Sequence, residues 1–173
     1  MEMSEHITCP SCGIAGGLAE GETHHYMTSS PLCWKIYGDV LGKEYQDPAF
    51  MAHHRFTVDA YALQHPGTKN AQSIQSVNIH LLALHLIFAK DMAIPSVLSF
   101  MQSISQKTKS KTLAFEWLSP PQTLGDLTVA DVIKADTADA HGHIVRRWAR
   151  DVYDAWQDYH EVADKHFTAL VAT

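Results

Sequence analysis

Apolar residues recur three and four positions apart along most of the chain, and no stretch alternates at period two long enough to define a strand. Trp34, Ile36, Tyr37, Val40 and Leu41 follow Ser30-Pro31, a cap and a first-turn proline, so a helix is expected from residue 31. Asp47-Pro48 repeats that signal and predicts a second helix to Leu63 or Gln64, since Pro66 biases the preceding residue out of the α region. A third helix is expected from the cap Asn70 to about Lys90. Its seam of Ile74, Val77, Leu81, Leu84 and Phe88 is widened by Ile79, Leu82 and Leu86, the signature of a central helix.

Further along, a weaker helix is expected from Pro95 to about Lys107. The Thr128-x-x-Asp131 box opens a short one to about Ala135, and a long one runs from Thr137 to Val171. Trp148, Trp156 and Tyr61 fall on apolar seams and read as core. Residues 107–111 read as a solvated basic loop. The expected fold is all-α, an irregular helical bundle of about five or six helices. A Cys-rich N-terminal segment, residues 1–33, packs on it. A chain of 173 residues is expected to form a single domain, 1–173.

The formal net charge of −6, with no basic stripe, argues against nucleic acid and against an anionic membrane surface as partners. No apolar run approaches the ~20 residues of a spanning helix. The leading residues MEMSEHIT lack the basic and apolar regions of a signal peptide, so the expected location is cytoplasmic. In that setting three cysteines point to metal or reactive thiols before disulfides, and twelve histidines add further ligands.

Cys9-Pro10-Ser11-Cys12-Gly13 is a tight turn in which Pro10 fixes one φ and Gly13 permits φ > 0. Such a turn aims two sulfurs at one point, as tetrahedral zinc requires. Cys33 falls in the first turn of the helix at Pro31, where the dipole favours a thiolate. A zinc site of Cys9, Cys12 and Cys33 is therefore expected. His24 is the first choice as fourth ligand and His25 the second. Free, packed thiols and a redox pair are the competing readings, and the latter lacks a βαβ context.

A second constellation is His54, Asp59, His65, His80 and His160. On different helices these residues suit an inward-facing metal site with an open position, and hence a catalytic one. They equally suit a set of hydrogen-bonded structural groups, with His65 capping a helix end and Asp59 paired to Arg55 or Arg146. No phosphate loop, Gly-x-Ser-x-Gly elbow or His-Glu-x-x-His is present.

Several motifs, in order, resemble an uncharacterised bacterial family of unknown function. They are Cys9-Pro10-Ser11-Cys12-Gly13, Thr23-His24-His25-Tyr26, Ser30-Pro31-Leu32-Cys33-Trp34, Val58 through Gly67, Gln75 through Leu81, Leu127-Thr128-Val129, and Trp148 through His160. The resemblance implies that His24, His54, His65, His80 and His160 belong to the shared pattern. It implies no activity. The leading expectation is a cytoplasmic protein with a structural zinc site. The alternatives are a metal-dependent enzyme, such as a hydrolase, built on the histidine set, and a redox-sensing or interaction module.

Overall fold

A computed structural model describes residues 6–17, 20–109 and 114–172. Ser110 and Lys111 of the expected basic loop lie outside them, as does most of MEMSEHIT. Helix α1 spans Pro31–Gln46 and opens where Ser30 accepts the Cys33 N–H at 3.2 Å. Asp47 caps α2, Pro48–Met51, through the Ala49 N–H. Helix α3 covers His54–Gln64, and α4 covers Ala71–Phe88 behind the cap Asn70. Helix α5 is Ile94–Lys109, and the Thr128 capping box opens α6, Val129–Val132. Helix α7, Ala138–Ala155, is followed by a 3-10 turn, Gln157–Tyr159, and by α8, His160–Val171. The architecture is the expected all-α bundle, with six helices longer than a single turn among the described residues.

Two expected helices are each divided, for identifiable reasons. The 47–64 segment breaks at Ala52-His53, and the turn sets the His53 ring against Gly142. A Cβ at Gly142 would lie 2.5 Å from that ring, so glycine leaves room for the ring where it sits. The 137–171 segment bends at Trp156, whose fully buried indole donates to the Leu63 carbonyl at 3.1 Å. That bond satisfies an otherwise orphaned carbonyl at the end of α3.

Helix α3 lies between α4 and α7, while α5 and α8 pack on α4. Leu81, Leu82, Leu84 and Leu86 of α4 are all buried, as its all-round apolar pattern requires. Trp148, Trp156 and Tyr61 are core residues. The last turn of α3 is held with particular rigour. The Gln64 side chain donates to the Leu124 and Leu127 carbonyls at 3.0 and 2.8 Å and accepts from the Trp148 indole at 3.0 Å. These bonds fix where the chain turns at His65-Pro66-Gly67.

The N-terminal arm adds one short hairpin. Ile7–Thr8 (β1) pairs antiparallel with Ala15–Gly16 (β2). Leu32 of α1 packs on Gly16, where a Cβ would meet its Cδ2 at 2.2 Å. No described helix is long and apolar enough to cross a membrane.

Candidate metal centre

The hairpin turn carries the first two thiols. The Cys9 N–H donates to the Ile14 carbonyl at 2.7 Å and the Gly13 N–H to the Cys9 carbonyl at 3.0 Å, with Gly13 at φ +80°. The Ser11 hydroxyl donates to the Thr28 carbonyl at 2.6 Å and ties the turn to the irregular segment leading into α1. Cys33 enters from the first turn of α1, and its sulfur lies 3.6 Å from that of Cys12. No disulfide joins them, since a bonded pair sits near 2.05 Å.

The fourth member is His65. Ligand atoms of Cys9, Cys12, Cys33 and His65 all lie within 4.8 Å of one another, close enough to hold a metal ion. The His65 Nε2 is 3.3 Å from the Cys33 sulfur, and its Nδ1 is 2.8 Å from the Tyr61 carbonyl. A carbonyl only accepts, so Nδ1 carries the proton and the Nε2 lone pair faces the sulfurs. This is the second-shell arrangement by which proteins orient an imidazole ligand. The fit is also metric. A tetrahedral ion with metal–sulfur bonds of about 2.3 Å separates sulfurs by about 3.8 Å, and sulfur from nitrogen by about 3.5 Å. The Cys12–Cys33 and Cys33–His65 separations fall just short of those values.

The expected fourth ligand, His24, is not in this group, nor is His25. The His24 Nδ1 accepts the backbone N–H groups of Tyr26 and Met27 at 3.3 and 3.2 Å, and its ring stacks on His25. Its nearness in sequence to the thiols is spent on folding the arm back on itself.

Burial makes the thiols a demanding cluster. Cys9 and Cys33 are essentially inaccessible and Cys12 is half-buried. Hydrogen bonds from Cys12 and Cys33 hold the Cys9 thiol far below the ordinary thiol range. Bonds with Cys12 and Cys9, then burial, push the Cys33 thiol far up. For Cys12 the bond with Cys33 favours the thiolate. The bond with Cys9, burial and the Cys9 charge outweigh it, and the thiol is pushed up to about 12. A bound cation deprotonates coordinating thiols outright. Tyr61 lies within 3.5 Å of the Cys33 sulfur through its hydroxyl and stacks on the His65 ring.

The second expected constellation does not converge on one point, although two of its members, Asp59 and His80, meet. His65 belongs to the thiol cluster. His54 donates to Glu44 at 2.6 Å, and Glu44 also accepts from His141 at 2.8 Å and from the Thr57 hydroxyl. Asp59 is paired with Arg55, not Arg146, and with His80. Arg146 instead lies over the Phe56 and Phe88 rings. His160 stacks on Tyr153 and donates to its carbonyl at 2.8 Å. Among the described residues the thiol–His65 group is the only such set of three or more. Neither Glu44 nor His141 is singled out by a sequence motif. Glu44 carries its signal, a charged residue on the buried stripe Cys33, Tyr37, Val40, Glu44.

Fold and site together define an all-α protein in which a Cys3His cluster joins an N-terminal hairpin to the ends of two helices. The chain belongs to a family of unknown function, DUF5946, whose model matches residues 7–157. That span contains all four members of the cluster. No curated protein and no solved structure matches the chain significantly.

Proposed function

We propose that the chain is a zinc-binding cytoplasmic protein in which Cys9, Cys12, Cys33 and His65 hold one structural zinc ion. The observation that carries this reading is the His65 imidazole, turned by the Tyr61 carbonyl so that its bare nitrogen meets three gathered sulfurs. Sulfur-rich donor sets favour zinc over harder divalent ions. Four protein donors leave no open position for water, which makes the ion structural rather than catalytic. Its role is to clamp residues 7–33, a segment with little apolar surface of its own, to the ends of α1 and α3. Cysteines gathered as metal ligands rather than joined in disulfides suit a reducing compartment.

The test is metal analysis of untagged protein, before and after a strong chelator, with thermal unfolding followed in parallel. One zinc per chain is expected, and its removal lowers the midpoint. Protein that carries no zinc and is indifferent to chelation would overturn the reading.

A further inference from the structure

Asp59 of α3 is completely buried and accepts from three donors. Arg55, one turn earlier, grips it with two N–H bonds of 2.6 and 2.5 Å. His80 of α4 places Nδ1 at 2.6 Å from the same carboxylate. A carboxylate only accepts, so in the neutral imidazole the proton sits on Nδ1 and Nε2 presents a bare lone pair. No described residue hydrogen-bonds that Nε2. His80 lines a cavity of about 290 Å³, together with Tyr26, Gln72, Gln75, Ser76 and Ile79. A buried carboxylate bonded to one nitrogen of an imidazole that lines a cavity is the pairing by which hydrolytic sites position a general base.

The cavity also limits the substrate. Apart from His80 its lining carries amides, hydroxyls and one apolar side chain, with no lysine or arginine for a phosphate and no carboxylate for an amine. Its volume lies at the small end of ligand sites. Tyr26 forms one wall because Gly67 lets its carbonyl come close and Ser73 donates to that carbonyl at 3.5 Å.

We propose that His80 is the general base of a hydrolytic site for a small uncharged ester, with Asp59 as its positioning residue. Nε2 takes a proton from water as the water oxygen bonds to the acyl carbon. The carbon–alkoxy bond then breaks, and the same proton passes from Nε2 to the departing oxygen. The products are the acid and the alcohol, and the imidazole is regenerated. Arg55 balances the Asp59 charge, so the carboxylate orients the ring without having to accept the proton.

The experiment uses the metal-loaded full chain with 4-nitrophenyl acetate as the probe, 4-nitrophenyl phosphate as the charged counterpart, and the urea-unfolded chain as the reference for non-oriented histidines. The folded protein is expected to hydrolyse the acetate at least about a hundredfold faster than the unfolded chain, the lower end of general-base contributions, and to leave the phosphate intact. His80→Asn keeps a donor toward Asp59 and is expected to fold and retain its metal while falling to the unfolded rate. Asp59→Asn is expected to lower kcat with KM little changed. A folded protein no faster than the unfolded chain would overturn the proposal, as would a His80→Asn variant that retains the activity. Equal turnover of the phosphate or an acetylated Ser76 in quenched samples would overturn the substrate class or the direct attack by water.

Discussion

Gly67 offers the sharpest test of how the arm is seated. It lies just beyond α3 at φ +72°, and a Cβ there would sit 2.0 Å from the Tyr26 carbonyl oxygen and 2.9 Å from the Ser73 hydroxyl. Close carbon–oxygen contacts settle at about 3.3 Å or more. Gly67→Ala therefore drives the Tyr26 backbone away by more than about 1 Å, on a segment whose neighbours Cys9, Cys12 and Cys33 must meet at one point. The left-handed backbone costs alanine about 1–2 kcal/mol, and overpacking adds about 1–3 kcal/mol. Together these lower Tm by on the order of 10 °C for a chain of this length. Gly13 provides the control. It has φ +80° with nothing within 4 Å of a built Cβ, so Gly13→Ala carries the conformational cost alone. Thermal unfolding of the metal-loaded wild type and both variants separates the two contributions. Should Gly67→Ala prove no less stable than Gly13→Ala, the close approach of arm and helix end is not what seats the arm.

Three further outcomes are expected. Cys12→Ser lowers metal content and thermal stability together, and unchanged metal stoichiometry in that variant would count against the cluster. Glu44→Gln breaks a fully buried carboxylate away from His54, His141 and Thr57, with a loss of about 3–5 kcal/mol in urea unfolding. A loss under about 1 kcal/mol would show that the carboxylate is not held as drawn. Acid destabilises the fold in two stages. Burial depresses His24, His53, His85 and His166 below their ordinary 6.5, so below that pH the unfolded chain binds protons that the folded chain does not, and stability falls. Glu44 is held below its ordinary 4.5, because bonds from His141, His54 and Thr57 outweigh the opposing effect of burial, and it continues the loss as pH drops through that value. Urea midpoints that stay flat or rise from about pH 7 to about pH 5 would contradict this sign.

Local chemistry made much of the fold legible. Ser30, Asp47, Asn70 and Thr128 each cap the helix their position announces, because a short polar side chain ahead of a periodic segment has one favourable use. The all-round apolar pattern of α4 likewise revealed a central helix. The breaks at His53 and Trp156 were not legible, because they arise from contacts with Gly142 and Leu63, 89 and 93 residues away in sequence. The three thiols were readable from spacing and helix position. His24 drew attention through nearness along the chain, whereas His65 reaches the sulfurs only because Gln64, Trp148 and Trp156 pin the end of α3. Pro66 was the available clue: a histidine stranded at a forced helix end has its ring free to project off the axis. Asp59 and His80 are both candidates by residue type, but their pairing depends on the register between α3 and α4, which no local pattern encodes.

The most direct measurement is zinc-edge X-ray absorption fine structure on untagged protein as purified. The expected first shell is three sulfurs at about 2.3 Å and one nitrogen at about 2.0–2.1 Å, with the nitrogen lost in His65→Ala and retained in His24→Ala. A shell of nitrogen and oxygen alone, or a nitrogen lost with His24 rather than His65, would contradict the account.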